Sequence, residues 1–212
     1  MRFMLPVVAL SGVFGLAGLP MEAPRADSQP PKPTSPQQPE LPAGHPQIIP
    51  PAAPEGWPVA KPEDVGSIDS IIKAFYEASS GEKGQPRDWD RYRSLFQPDA
   101  RLIVARAAGG QAARAVFLRV SEYIEANKVY FEKGGFVDKE VARRTESFSS
   151  IAQVWSTFES RRSKDSPAPY ARGITSLQLL KDGDRWWIIN VFWDHERADV
   201  PIPEKYLTST AP

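Results

Sequence analysis

The chain of 212 residues has no cysteine, only two histidines and no surplus charge of either sign, 26 Lys and Arg offsetting 26 Asp and Glu. Each absence closes a class of function. Without cysteine there is no disulfide scaffold, thiolate zinc site, iron–sulfur cluster or cysteine nucleophile. Without a basic surplus, no bulk field draws the chain to nucleic acid or to an anionic membrane surface. No phosphate-binding glycine motif, nucleophile elbow or dinucleotide fingerprint is present, so no cofactor is implied. What is present is a 41% hydrophobic and 10% aromatic content, enough for a packed core.

Proline divides the chain. Fifteen of its 22 prolines lie in residues 1–63, and the remaining 149 residues hold seven. Residues 3–19 follow Arg2, carry no charge and are rich in apolar side chains. They read as a secretory signal peptide over 1–23, with cleavage after Ala23 or Ala26. An uncleaved anchor is the alternative, although Pro6, Gly12, Gly15 and Gly18 interrupt the run. Residues 24–63 are expected to be a disordered, proline-rich linker, because proline lacks the backbone donor and favours extended polyproline II. The predicted location is therefore outside the cytoplasm, periplasmic or secreted, with no membrane contact beyond the signal peptide.

A folded domain is expected over 64–200, with a tail at 201–212. Ser67 is a plausible N-cap, and Ile68, Ile71, Ile72, Phe75 and Tyr76 form one helical stripe after it. A second short helix starts at Asp88, carrying Trp89, Tyr92 and Phe96 on one side. Residues 101–106 read as a strand and 108–111 as a loop. A third helix is expected over about 113–133, placing Phe117, Val120, Ile124 and Phe131 along one face and ending at Gly134-Gly135. From Phe136 the period changes from 3.6 to 2, with strands at 137–148, 150–162, 170–181 and 185–195. The fold class is α+β: a curved, cone-shaped antiparallel sheet wrapping about three N-terminal helices, with a pocket between them.

This order of elements resembles the nuclear transport factor 2-like superfamily, which includes SnoaL-like domains and ketosteroid isomerase. The residues that carry the resemblance are Ile71-Ile-Lys-Ala-Phe-Tyr76, Asp88-Trp-Asp-Arg-Tyr-Arg-Ser-Leu-Phe96, Pro98-Asp-Ala-Arg-Leu102 and the hairpin Arg172–Trp193. The last is similar to that of exported, mostly uncharacterised bacterial members. The resemblance spans about 64–197. It implies the fold but no particular reaction, since members include isomerases, cyclases, dehydratases and non-catalytic binding modules. It also implies a second subunit as the cover for one face of the sheet.

With Asp182-Gly183 as the hairpin turn, Lys181 faces Asp184, Thr175 faces Asn190, Gly173 faces Phe192 and Ala171 faces Asp194. These share a face with Leu177, Leu179, Trp186 and Ile188. The expected pocket lining is therefore Tyr76, Tyr92, Thr175, Trp186, Asn190 and Phe192, with Asp194 as the candidate acid–base residue. The other face carries Arg172, Gln178, Trp187 and Trp193, together with Tyr170, Ser176, Ile189, Val191 and His195, and is the expected homodimer face. Strand alternation turns His195 away from Asp194 and Glu196, so this trio does not converge on a metal ion. Arg143-Arg144 and Arg161-Arg162 read as solvated or salt-bridged, with one of a pair available to line the cavity mouth. Arg106 and Arg114 flank the 108–111 loop and are candidates to receive an anion. Three functions stand open: a small-molecule-binding domain for a hydrophobic ligand, an acid–base enzyme (isomerase, dehydratase or cyclase) using Asp194 with a Tyr or Asn partner, and an envelope interaction module with a filled pocket.

Overall fold

Ser67 caps the first substantial helix as its sequence predicts. In the computed structural model, which describes residues 53–106 and 112–209, the Ser67 hydroxyl accepts from the Ser70 amide at 3.0 Å and Ser70 Oγ accepts in return from the Ser67 amide at 3.0 Å. This box opens helix α2 (Ile68–Ser79), which follows a single turn, α1 (Pro62–Val65). Ile71, Ile72 and Tyr76 of the predicted stripe are buried, and Ile68 and Phe75 pack against them. Asp88 caps α3 (Trp89–Ser94), accepting from the Arg91 amide. The segment expected to be a signal peptide, nearly all of the proline-rich segment with His45, and the expected 108–111 loop lie outside the described residues.

The next stretch differs from expectation. Residues 113–133 are not one helix: β1 (Phe96–Arg106) turns back into β2 (Arg114–Arg119), and only then does α4 (Val120–Gly134) begin. The reason is pairing. Ala115-Val-Phe-Leu118 is β-favouring and finds β1 as an antiparallel partner, with Leu102 opposite Leu118 and Ile103 opposite Phe117. Over so few residues the apolar pattern fits either period. Phe117 is consequently 65% exposed instead of joining Val120, Ile124 and Phe131 in the interior.

Strands β3 (Val137–Phe148), β4 (Ile151–Arg161), β5 (Ala171–Asp182) and β6 (Arg185–His195) form antiparallel neighbours. The sheet has six strands in the order β2-β1-β6-β5-β4-β3, and β1 joins β6 in parallel. The class is α+β, a curved and unclosed sheet around the helices, as expected. Among the described residues no helix is long and apolar enough to cross a membrane.

The hairpin register needs correction. Asp182 pairs with Arg185, so the turn residues are Gly183 and Asp184, with Gly183 at φ 59°. That is the pattern of a type II′ turn, which takes glycine first. A bulge follows: Leu179 pairs with Ile188 but Gln178 with Asn190. The extra residue, Ile189, reverses the alternation of β6 beyond it. Trp186 and Ile188 face the core, and so do Val191, Trp193 and His195, while Asn190, Phe192 and Asp194 face out.

A second glycine positions the site. Gly135 has φ 72°, and a Cβ there would run into the Arg162 carbonyl. Only glycine makes this turn without strain. It delivers the chain from α4 into β3, where Asp138 pairs with Ser160.

The packed structure runs past both ends of 64–200. Trp57 and Ala60 pack on the core, and Arg91 grips Asp64 through both carboxylate oxygens at 2.7 and 2.8 Å. At the other end a 3-10 turn, Glu204–Tyr206, lies over the outer face. There the Tyr206 ring stacks on Trp155 with centroids 5.6 Å apart, and Thr157 donates to the Tyr206 carbonyl.

Candidate functional site

Between the helices and the concave face of the sheet lies a cavity of about 380 Å³, toward the small end of ordinary ligand sites. All six strands and helices α2, α3 and α4 reach it. Ten of its 21 lining residues are Phe, Tyr or Trp. Against them stand one carboxyl, Asp138, one histidine, His195, the amide of Asn127 and the hydroxyls of Ser160 and Thr175. The lining contains no lysine or arginine among the described residues.

Asp138 lies on β3, and Ser160 Oγ donates to its Oδ1. Its backbone is held too: the Asp138 amide donates to Ser80 Oγ at 2.9 Å, tying β3 to the end of α2. Burial among the rings pushes the Asp138 carboxyl up to about 7, and the Ser160 hydrogen bond holds it below where burial alone would leave it. The carboxyl therefore changes charge near neutral pH. Its charge in turn helps raise the phenols of Tyr76, Tyr92, Tyr123 and Tyr170, at each of which burial is the main cause; Tyr170 is pushed up to about 12.

Tyr76 has a defined polarity. Ser156 Oγ donates its single proton to Glu140, and Glu140 is clamped by Arg143 through contacts of 2.6 to 3.1 Å. Ser156 can then only accept from the Tyr76 hydroxyl, 2.7 Å away. The Tyr76 proton points into the wall, so its oxygen can serve the cavity as an acceptor.

At the rim, Tyr130 of α4 and Tyr170 before β5 are 53% and 46% exposed. Arg162 joins them: its Nη2 donates to the Tyr130 hydroxyl at 2.6 Å, and its guanidinium lies 4.4 Å from the Tyr170 ring centroid. The arginine pairs divide as alternation requires. Arg143 and Arg161 bind carboxylates, Arg144 reaches the Lys205 carbonyl, and Arg162 serves the mouth.

Of the sequence candidates, Tyr76, Tyr92 and Thr175 line the cavity. Trp186 is buried in the core instead. Asn190, Phe192 and Asp194 are displaced to the outer face by the bulge. Asn190 pairs with Gln178, Phe192 is 43% exposed, and Asp194 binds Arg197 at 2.8 Å. Trp193, assigned to the dimer face, is half-buried on the cavity side, and His195 borders the cavity on the same side while remaining exposed, its ring meeting that of Phe158 edge-on at 5.7 Å. Arg172, Gln178 and Trp187 do lie on the outer face. Arg172 binds Glu196 at 3.2 Å, and the Arg185 guanidinium covers the Trp187 ring at 3.2 Å. Among the described residues no group of three or more His, Asp or Glu side chains is gathered to hold a metal ion. The side chain of Arg106 and the loop beyond it lie outside the described residues, and the Arg114 side chain is exposed.

Sequence reasoning missed Asp138 and Ser160, although β4 carries a signal. Its inward positions run Ala152, Val154, Ser156, Phe158, Ser160. Two serines interrupt an otherwise apolar inward face, and each meets an acid on β3: Glu140 and Asp138.

No family model and no curated protein matches the chain. Solved structures do. A protein of unknown function with a cystatin-like fold from Nostoc punctiforme is 12% identical over 62% of this chain and 90% of its own, with a TM-score of 0.46. A nuclear transport factor 2-like protein of unknown function from Shewanella baltica is 12% identical over 62% and 92%, at 0.45. Another from Pseudomonas putida is 13% identical over 66% and 88%, at 0.47. The structures similar to this chain thus include members of the nuclear transport factor 2-like superfamily, the group that its sequence resembles.

Proposed function

We propose that the chain is an exported small-molecule-binding domain. Its ligand has an apolar, ring-sized body that fills the aromatic cavity and a polar group that meets Asp138. The observation that carries this reading is a cavity of about 380 Å³ with one carboxyl set among ten aromatic rings. Such a concave, mainly apolar site with few placed polar groups is the usual form of a ligand pocket. Arg2 and the apolar run after it support export. N-phenyl-1-naphthylamine, a neutral fluorescent probe, tests the binding. Its emission is expected to rise in the wild-type protein, and Ala126→Trp, which projects an indole into the cavity, is expected to weaken binding at least tenfold. A wild-type protein that leaves the probe dark, or a variant that binds equally well, overturns the reading.

One observation favours a second reading, acid–base catalysis. A carboxyl pushed up to about 7 beside several phenols is poised to take or give a proton at neutral pH. In this reading Asp138 replaces Asp194 as the catalytic group, and Asp138→Asn abolishes turnover while the naphthylamine probe still binds.

A further inference from the structure

The cavity wall has an uneven charge balance. Its one acidic side chain, Asp138, has Ser160 as a hydrogen-bond donor but faces no lysine or arginine in the lining. A partly desolvated carboxylate gains from a counter-charge, and no lysine or arginine of this wall supplies one. Nearly half of the lining offers aromatic rings. Tyr92 stacks on Tyr123 with centroids 5.9 Å apart, and Trp193 meets Tyr123 edge-on at 6.0 Å. The faces of tyrosine and tryptophan attract cations and give nothing to anions. An anionic ligand would meet a like charge and no lysine or arginine in the lining.

We propose that the cavity selects organic cations: an ammonium group on an apolar body, with its charge toward Asp138 and its carbon skeleton among the rings. This rests on the reading of the cavity as a ligand site and names its substrate class. The titratable groups that share the lining with Asp138 are Tyr76 from α2, Tyr92 from α3, Tyr123 and Tyr130 from α4, Tyr170 at the start of β5 and His195 from β6, with the neutral polar groups of Asn127, Ser160 and Thr175 among them; the strands β1 and β2 contribute only aliphatic side chains. Arg162 stands outside at the exposed rim, where water and salt screen its charge. Since the free carboxyl titrates at about 7, a bound ammonium must displace its proton below that pH. Cation affinity therefore falls as pH drops through 7, whereas the affinity of a neutral ligand does not.

Three probes of one shape test this by calorimetric titration of the purified protein: 4-phenylbutylamine, 4-phenyl-1-butanol and 4-phenylbutyrate. At pH 8 the amine is expected to bind at least tenfold more tightly than the alcohol, with the butyrate weakest. At pH 5.5 the margin of the amine should shrink. Asp138→Asn should bring the amine down to the affinity of the alcohol while alcohol binding persists. If the variant does not fold, the wild-type pH series decides alone. An alcohol or butyrate that equals the amine at pH 8, an amine affinity that does not fall below pH 7, or one untouched by Asp138→Asn overturns the charge selection and leaves the cavity reading standing. If none of the three probes binds, the cation selection fails, and the cavity reading fails with it only if the naphthylamine probe also stays dark.

Discussion

Asp138 is a carboxyl that the fold holds at a disadvantage. Its unfolded-state value is 3.8 and burial raises it to about 7. The native state thus prefers the protonated form, and that stability, present below about 4, is lost as pH rises through 7. At about 1.4 kcal/mol per unit, the change between pH 5 and pH 8 is on the order of 2–3 kcal/mol. Asp64 works in the opposite sense, because the Arg91 hydrogen bond lowers its value; its stabilisation fails only as pH falls below the ordinary carboxylate range, outside this window. Thermal unfolding of the wild type is therefore expected at a lower temperature at pH 8 than at pH 5. Asp138→Asn should be the more stable protein at pH 8 and should lack most of that difference. Equal pH profiles for the two proteins would show that the carboxyl is not buried as described.

At the scale of elements, the turn from β1 into β2 decides what surrounds the cavity. Because residues 114–119 are a strand, Leu118 reaches the cavity wall and Phe117 points out. Phe131 on α4 is buried and stacks on Phe136 with centroids 3.8 Å apart. The two phenylalanines should then respond differently to truncation. Phe131→Ala is expected to cost about 3–5 kcal/mol, the usual loss for a large core aromatic. Phe117→Ala should stay within about 0.5 kcal/mol, as exposed positions do. Urea unfolding distinguishes the cases, since comparable losses would restore the single helix over 113–133. The N-termini of α2 and α3 were legible because a capping serine or aspartate acts locally, within three residues. The strand β2 was not, because what makes it a strand is a partner eight to eighteen residues away in β1.

At the scale of the whole molecule, the outer face is only partly covered. One row crosses the sheet from Phe117 through Ile103, Phe192 and Ser176 to Trp155, each directly opposite the next. Tyr206 covers the Trp155 end, leaving Phe117 and Phe192 in the open. The homodimer expected from the sequence stands as a proposal with a new centre: Phe117, Ile103 and Phe192 in place of Trp187 and Trp193. Two copies related by a twofold axis would bury this row against itself. Light scattering is expected to give twice the mass of one chain, and Phe192→Asp to halve it. A wild-type monomer overturns the proposal.

Composition and periodicity alone determined a good deal about this protein: the α+β class, the caps and stripe of α2, the two long hairpins, and the presence of Tyr76, Tyr92 and Thr175 near the site. These follow from interactions between residues a few positions apart. Which face of β6 looks inward depended on one extra residue at Ile189, and a period of two cannot report such an insertion because either phase is equally regular. That single bulge exchanged Asn190, Phe192 and Asp194 for Val191, Trp193 and His195. Tertiary structure alone also chose the carboxyl. Asp138 is one of several acids along β3, and only its pairing with Ser160, beneath the tyrosines of three helices, withdraws it from water and gives it a charge that changes near neutral pH.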